Sequence, residues 1–147
     1  MSCVLFVYGS LLCGEPAFFR LKGARFLGRA RTAPQFTLVD LGDYPALLPG
    51  GTASISGELY EIPPATLADL DAYEDHPNLY QRTEIALESG LRAEAYLLNA
   101  ERAQGRPEIP LGDWRATPGR RAAGPRVYGI RETPDRSSNR KANRKDR

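Results

Sequence analysis

Residues 67–82 read LADLDAYEDHPNLYQR, which predicts a helix that ends before Pro77 and a strand that follows it. Leu67, Leu70 and Glu74 have the i, i+3, i+7 spacing of one helix face, and such a face normally packs inward. Burying a carboxylate there is costly unless the group is neutralised or paired. Glu74 therefore calls for a specific explanation.

Two explanations of Glu74 follow from the residues around it. The negative end of the helix, the like charges of Asp71 and Asp75, and a partly apolar pocket would all raise the pKa of Glu74 from about 4.3 toward neutrality. A carboxyl group that titrates there is suited to general acid or base catalysis. The structural alternative is an ion pair with an arginine such as Arg82, which would hold the following strands against the helix. Helix geometry alone leaves both explanations open.

The helix lies between predicted strands. Thr66 stands three residues before Asp69, a spacing that predicts a capping box at the helix start. The stretch TASISGELYEI predicts a strand over about 52–62, in which Gly57 marks a bulge or a close backbone approach. After the helix, YQRTEIALE and LRAEAYLLN predict a hairpin joined at a Ser-Gly turn.

Short strands with turn-length connections dominate the rest of the chain. The other predicted elements are a central strand at 3–8, a short helix at 16–21, strands at about 24–32 and 35–40, an extended piece at 43–51, an irregular segment anchored by Trp114, and a last short strand at 126–132. This pattern favours the α+β class, as a mainly antiparallel sheet or a small barrel.

Length, composition and charge limit the domain organisation and the partners that the chain can have. The 147 residues predict one domain at 1–133 and a basic tail at 134–147. From Arg115 onward the chain has 11 basic and three acidic residues, but the tail lacks aromatic side chains that could stack on bases, which argues against a nucleic-acid partner. The alternative, binding of nucleic acid through this tail, predicts salt-sensitive binding that is lost when the tail is removed.

Targeting and metal-binding patterns give further expectations. The chain shows no apolar run long enough for a membrane span and no export signal, which predicts a cytoplasmic protein without a membrane partner. In that compartment Cys3 and Cys13 are expected to be reduced thiols. With one histidine and no CxxC motif, the sequence predicts no metal site.

The stretch VYGSLLCG is the second unusual element. A strand that ends in Gly-Ser leaves several main-chain N–H groups pointing one way, an arrangement suited to an oxyanion or a carboxylate. Gly9 and Gly14 have P-loop-like spacing, but Glu15 stands where the lysine would be, which disfavours a nucleoside triphosphate. The alternative is a tight turn required only by packing.

Together, VYGSLLCG, FTLVDLGDYPAL, ISGELYEI, LADLDAYEDHPNLYQR and PLGDWR resemble, in order and spacing, the γ-glutamylcyclotransferase-like family, in particular γ-glutamylamine cyclotransferases and their bacterial relatives. The resemblance covers about residues 4–115 and implies a small mixed β-barrel with short flanking helices. It also implies that Glu74 is the catalytic acid/base. It assigns Tyr8, Gly9, Ser10 and Leu11 to the loop that holds the γ-glutamyl group.

The implied reaction is attack of a γ-glutamyl α-amine on its own γ-amide carbonyl. The products are 5-oxoproline and a free amine, no cofactor is needed, and the partner is a small-molecule γ-glutamyl substrate. Tyr80, Tyr96 and Trp114 are candidates for the walls of the pocket, with a place in the core as the alternative for each. The alternative function is a non-catalytic relative that binds a γ-glutamyl-like ligand or a partner protein.

Overall fold

The computed structural model describes residues 2–116 as a sheet with one α-helix and short 3-10 helices. The elements are β1 Cys3–Val7, β2 Arg25–Arg31, β3 Phe36–Asp40, β4 Pro45–Pro49, β5 Ser56–Ile62, α1 Pro64–Tyr73, β6 Tyr80–Ala86 and β7 Arg92–Leu98, with 3-10 helices at Phe18–Leu21, Ala100–Ala103 and Trp114–Ala116. The predicted strand at 126–132, the domain end at 133 and the basic tail lie outside the described residues.

The start of α1 differs from the sequence prediction. Pro63 is the N-cap residue and Pro64 is the first helical residue, with no side-chain cap. Thr66 lies inside the helix, where its hydroxyl donates to the main-chain oxygen of Lys22 over 2.8 Å. The predicted capping box is therefore wrong, because the fixed φ of proline starts a helix without a side-chain acceptor.

The sheet places β7 at its centre. Its strand order is β2-β5-β1-β7-β4-β3, and β6 pairs with β7 from Tyr80 opposite Leu98 to Ala86 opposite Arg92. Both β1 and β4 run parallel to β7, through Leu5 opposite Glu94 and Leu47 opposite Leu97 respectively. Since β6 covers one edge of β7, β1 and β4 share the other edge one after the other.

The α+β class is confirmed, but the expected barrel is not closed. Thr32 and Leu87 form an isolated antiparallel bridge where the chain leaves β2 and β6. Within residues 2–116 this contact joins only the tips of the two strands and does not continue as a ladder. The sheet therefore curves far enough for its ends to touch without forming a complete barrel.

Side chains of β1 are buried on both faces of the sheet, as its apolar run predicts. Leu5 and Val7 belong to one hydrophobic cluster, which also contains Leu70 of α1. Phe6 belongs to a second cluster on the opposite face, together with Trp114, which anchors the irregular segment after β7 as predicted. β1 is thus the central layer against which both halves of the core pack.

Gly57 marks a close approach between β5 and β1. A Cβ atom at this position would lie 2.2 Å from the main-chain oxygen of Val7 and 2.6 Å from a ring carbon of Phe6. The irregularity in the neighbouring ladder falls elsewhere, between Phe26 and Gly28 of β2. Gly57 is therefore required by packing.

Gly57→Ala is expected to destabilise the protein by about 2–3 kcal/mol, because both the β1 backbone and an aromatic ring must move. The measurement is the free energy of unfolding in urea. Gly90→Ala is the control, since that position has open space around it and a φ of 94°, so only backbone strain of about 1 kcal/mol applies. Equal losses in the two variants would contradict the packing argument.

Candidate active site

The end of β1 forms a turn over residues 8–11. The main-chain oxygen of Gly9 accepts the Leu12 N–H over 3.0 Å, and that of Ser10 accepts the Ala17 N–H over 2.9 Å. In the described part of the chain, the N–H groups of Gly9, Ser10 and Leu11 donate to no main-chain carbonyl. Two main-chain oxygens of the turn are thus bound by the residues that follow it, and main-chain donors are left for another partner.

A buried carboxylate holds the chain just beyond this turn. Glu58 of β5 accepts the Cys13 N–H over 2.9 Å and the Tyr60 hydroxyl over 3.1 Å. Arg115 donates to the other oxygen of Glu58 over 3.2 Å and also to the main-chain oxygen of Cys13. These contacts connect the turn to β5 and to the last described 3-10 helix.

The turn lies near the point along the edge of β7 where pairing with β1 ends and pairing with β4 begins. A Cβ atom on Gly9 would lie 2.5 Å from Cγ of Pro45, the first residue of β4. Glycine is therefore required for the end of β1 and the start of β4 to come this close. A cleft opens at this junction.

The cleft contains about 460 Å³ of empty space, a volume that includes the part open to solvent. It is lined by Phe6, Val7, Tyr8, Gly9, Ser10, Leu11, Tyr44, Pro45, Tyr73, Glu74, Tyr80 and Tyr96. All of the site residues named from the sequence are in this set except Trp114. That residue is 2% exposed and packs in the core instead.

Five lining residues were not named as site residues from the sequence: Phe6 and Val7, which were predicted only as part of the central strand, and Tyr44, Pro45 and Tyr73. The DYPAL segment that contains Tyr44 and Pro45 suggested only an extended piece. Pro45 lines the cleft because β4 follows β1 along β7, and this neighbour relation is not visible in a local pattern. Tyr73 is the last residue of α1 and immediately precedes Glu74, so a closer inspection of the helix end could have found it.

Glu74 is the C-cap residue of α1 and is half-buried. Its N–H donates to the oxygen of Leu70 over 2.9 Å, so the last helical hydrogen bond holds its backbone. Asp75 follows with a φ of 55°, which turns the chain away from the helix axis. The end of the helix therefore holds Glu74 in the lining of the cleft.

Tyr8, which lies close to Glu74, is tied into the sheet. Its hydroxyl donates to the main-chain oxygen of Tyr96 over 2.7 Å. Burial and the nearby charge of Glu74 raise the pKa of Tyr8 far above its usual value. The Tyr8 hydroxyl thus stays neutral and ties the end of β1 to β7, and the residue lines the cleft.

Arg82 joins α1 to the hairpin through Asp71. The guanidinium donates through Nε to Oδ1 over 2.9 Å and through Nη2 to Oδ2 over 3.0 Å, and it also contacts Glu94. Burial alone would raise the pKa of Asp71, but hydrogen bonds from Arg82 and Tyr96 hold it below its usual value. The structural role considered for Glu74, holding the hairpin against the helix, belongs to Asp71.

The lining residues indicate what the cleft can do. Among the described lining residues the one carboxylate is Glu74, and none is basic. The cleft combines this carboxylate with main-chain N–H donors and phenol rings. Such a set can move a proton and bind a small polar molecule with an apolar portion.

Between residues 2 and 116 no group of three or more His, Cys, Asp or Glu side chains is placed to hold a metal ion. Cys3 is partly exposed, Cys13 is exposed, and both are free thiols. No helix in this range combines the length and the apolar character needed to cross a membrane.

Comparison with known proteins gives consistent matches. A Vibrio cholerae protein provisionally named gamma-glutamylcyclotransferase is 39% identical over 114 residues, covering 78% of this chain and 96% of that protein. The gamma-glutamylaminecyclotransferase of Mus musculus is 38% identical over 93 residues, covering 57% of this chain and 62% of that protein. The crystal structure of an AIG2-like protein from Mus musculus superposes with a TM-score of 0.67 at 29% identity, covering 93% of this chain and 99% of that one.

The family assignment rests on most of the described chain. The family described as "Gamma-glutamyl cyclotransferase, AIG2-like" matches residues 5–116. This range contains the 8–11 turn, Glu74 and every lining residue of the cleft. The chain therefore belongs to the AIG2-like gamma-glutamyl cyclotransferase family.

Proposed function

We propose that this chain cyclises a γ-glutamyl amide, releasing 5-oxoproline and a free amine, with Glu74 as the general acid/base. The observation that carries the proposal is that Glu74 and the 8–11 turn, 63 or more positions apart in sequence, line the same cleft. Family membership supports the reaction type. The name of the mouse relative, a gamma-glutamylaminecyclotransferase, supports an amide of a simple amine as the substrate class.

The reaction is an intramolecular acyl transfer. The α-amine nitrogen attacks the γ-carbonyl carbon, forming the ring C–N bond and a tetrahedral intermediate. The Glu74 carboxylate accepts a proton from the attacking nitrogen and passes it to the leaving nitrogen as the original amide bond breaks. The step consumes no water and involves no oxidation or reduction. Proton transfer of this kind accelerates reactions by about 10²–10⁴-fold.

The turn supplies the complementary part of the site. The N–H groups of Gly9, Ser10 and Leu11 are suited to bind an oxygen that becomes negative in the tetrahedral intermediate, or the α-carboxylate of the substrate. The surrounding tyrosine rings limit the conformations of the glutamyl chain. Holding the amine near the carbonyl reduces the entropic part of the barrier to ring closure.

The experiment is a substrate panel in water enriched in ¹⁸O. It includes γ-glutamyl amides of small amines, ε-(γ-glutamyl)lysine and γ-glutamyl dipeptides, with mass detection of both products. Cyclisation is expected to give 5-oxoproline without solvent oxygen and an equimolar amount of free amine. Release of ¹⁸O-labelled glutamate would indicate hydrolysis and overturn the proposal. Binding of these compounds without turnover would favour the non-catalytic alternative.

A further inference from the structure

The hydrogen-bonding direction of the Tyr96 hydroxyl is determined by its partner. This hydroxyl donates its one proton to Oδ1 of Asp71 over 2.7 Å. A phenol has a single proton, so once it is donated the oxygen can only accept further hydrogen bonds. Any other polar group that reaches this oxygen must therefore bring its own N–H or O–H.

Asp71 cannot donate a proton to the Tyr96 oxygen instead, because Arg82 keeps its carboxyl group ionised. Two parallel N–H groups of Arg82 bind its two oxygens, the bidentate geometry that favours carboxylate over carboxylic acid. An ionised carboxylate only accepts hydrogen bonds. The bond from Tyr96 to Asp71 is thus charge-assisted, which increases the electron density on the phenol oxygen.

Tyr96 is held through both its main chain and its side chain, and it borders the cleft. Its main-chain oxygen accepts the Tyr8 hydroxyl, and its side chain is bound by Asp71. The residue is only 3% exposed, and it lines the cleft together with Glu74. Asp71 therefore fixes the orientation of the Tyr96 hydroxyl, which lies within electrostatic range of the carboxylate that the proposed function assigns to proton transfer.

We propose that Asp71 orients Tyr96 so that the phenol oxygen accepts a hydrogen bond from the free α-amino group of the substrate. The inference rests on the proposed function and identifies the group that recognises the free α-amine of the γ-glutamyl substrate. Tyr96 touches the substrate, whereas Asp71 acts through Tyr96 as a positioning residue. One N–H of the amine is bound by Tyr96, and a second is directed toward Glu74.

The test measures binding rather than turnover, in the Glu74→Gln background. Two ligands are compared: a γ-glutamyl amide and the glutaryl amide of the same amine, in which hydrogen replaces the α-amino group. Isothermal titration is expected to show about a tenfold preference for the ligand with the amine, the effect of one hydrogen bond of moderate strength. Tyr96→Phe and Asp71→Asn, each added to this background, are expected to remove most of this preference.

Glu94→Gln is the matched control, because Glu94 binds the same arginine from its other side. In this variant the preference is expected to remain. The inference is overturned if the parent binds the two ligands equally, if Tyr96→Phe or Asp71→Asn keeps the preference, or if Glu94→Gln loses it to the same extent. Tyr96→Phe removes a single oxygen, so it keeps the test valid even if Asp71→Asn fails to fold.

A failure of the proposed function can be distinguished from a failure of this inference. Its failure would appear as wild-type protein that releases no 5-oxoproline, a quantity that the binding comparison does not measure. A wild-type enzyme with full turnover, combined with an unchanged ligand preference in Tyr96→Phe, would reject the inference alone.

Discussion

Glu74→Gln is expected to lower the rate of 5-oxoproline release by about 10²–10⁴-fold, the range attributed to general acid/base catalysis. Glutamine has nearly the shape of glutamate, but its amide cannot take a proton from the attacking amine. The measurement is kcat for the best substrate of the panel, with 5-oxoproline quantified by mass spectrometry. Because the lost interaction concerns the reacting atoms, most of the effect is expected in kcat and not in KM.

Asp69→Asn is the matched control for this substitution. Asp69 is an exposed carboxylate on the same helix, so its replacement makes the same chemical change away from the cleft. Its activity is expected to stay close to wild type, and thermal unfolding of both variants shows whether either effect comes from lost stability. A Glu74→Gln protein that is folded and keeps more than a few per cent of wild-type kcat would exclude Glu74 as the acid/base.

Arg82→Met is expected to destabilise the protein strongly. The side chains of Arg82 and Asp71 are only 21% and 23% exposed, so removing the guanidinium leaves a poorly hydrated carboxylate without its counter-charge. Breaking a fully buried pair costs about 3–5 kcal/mol, and partial solvation reduces this to about 2–3 kcal/mol here. The measurement is the free energy of unfolding in urea.

Arg25→Met provides the comparison with an exposed ion pair. Arg25 binds Glu61 over 2.7 Å, but the two side chains are 70% and 37% exposed. Water screens this pair, so its loss is expected to cost under about 1 kcal/mol. Similar losses in the two variants would show that the Arg82 network has no special stabilising role.

Local sequence patterns were sufficient for most elements of the fold. The apolar run of β1, the hairpin of β6 and β7 and the helix before Pro77 all lie close to their predicted positions. These elements are specified by periodicity and by turn residues, which act over a few neighbouring positions. The start of α1 was wrong in detail, since a proline N-terminus took the place of the expected capping box.

The partner of Arg82 shows what local reasoning could not decide. On the sequence, Asp71 and Glu74 are both carboxylates near the end of one helix, and either is suited to bind an arginine on the next strand. The observed choice depends on the position of β6 relative to the helix axis. The pairing of Arg82 with Asp71, and the place of Glu74 in the cleft, are set by the docking of the hairpin.

The α+β class, the central first strand and an unusual carboxylate at a helix end can be predicted from the sequence, because each depends on residues near one another in the chain. The open barrel, the place of Trp114 in the core and the position of Tyr44 and Pro45 at the cleft depend on contacts between distant segments. These contacts follow from the shared edge of β7. Two distant strands, β1 and β4, must pair with it in succession before a cleft can form between them.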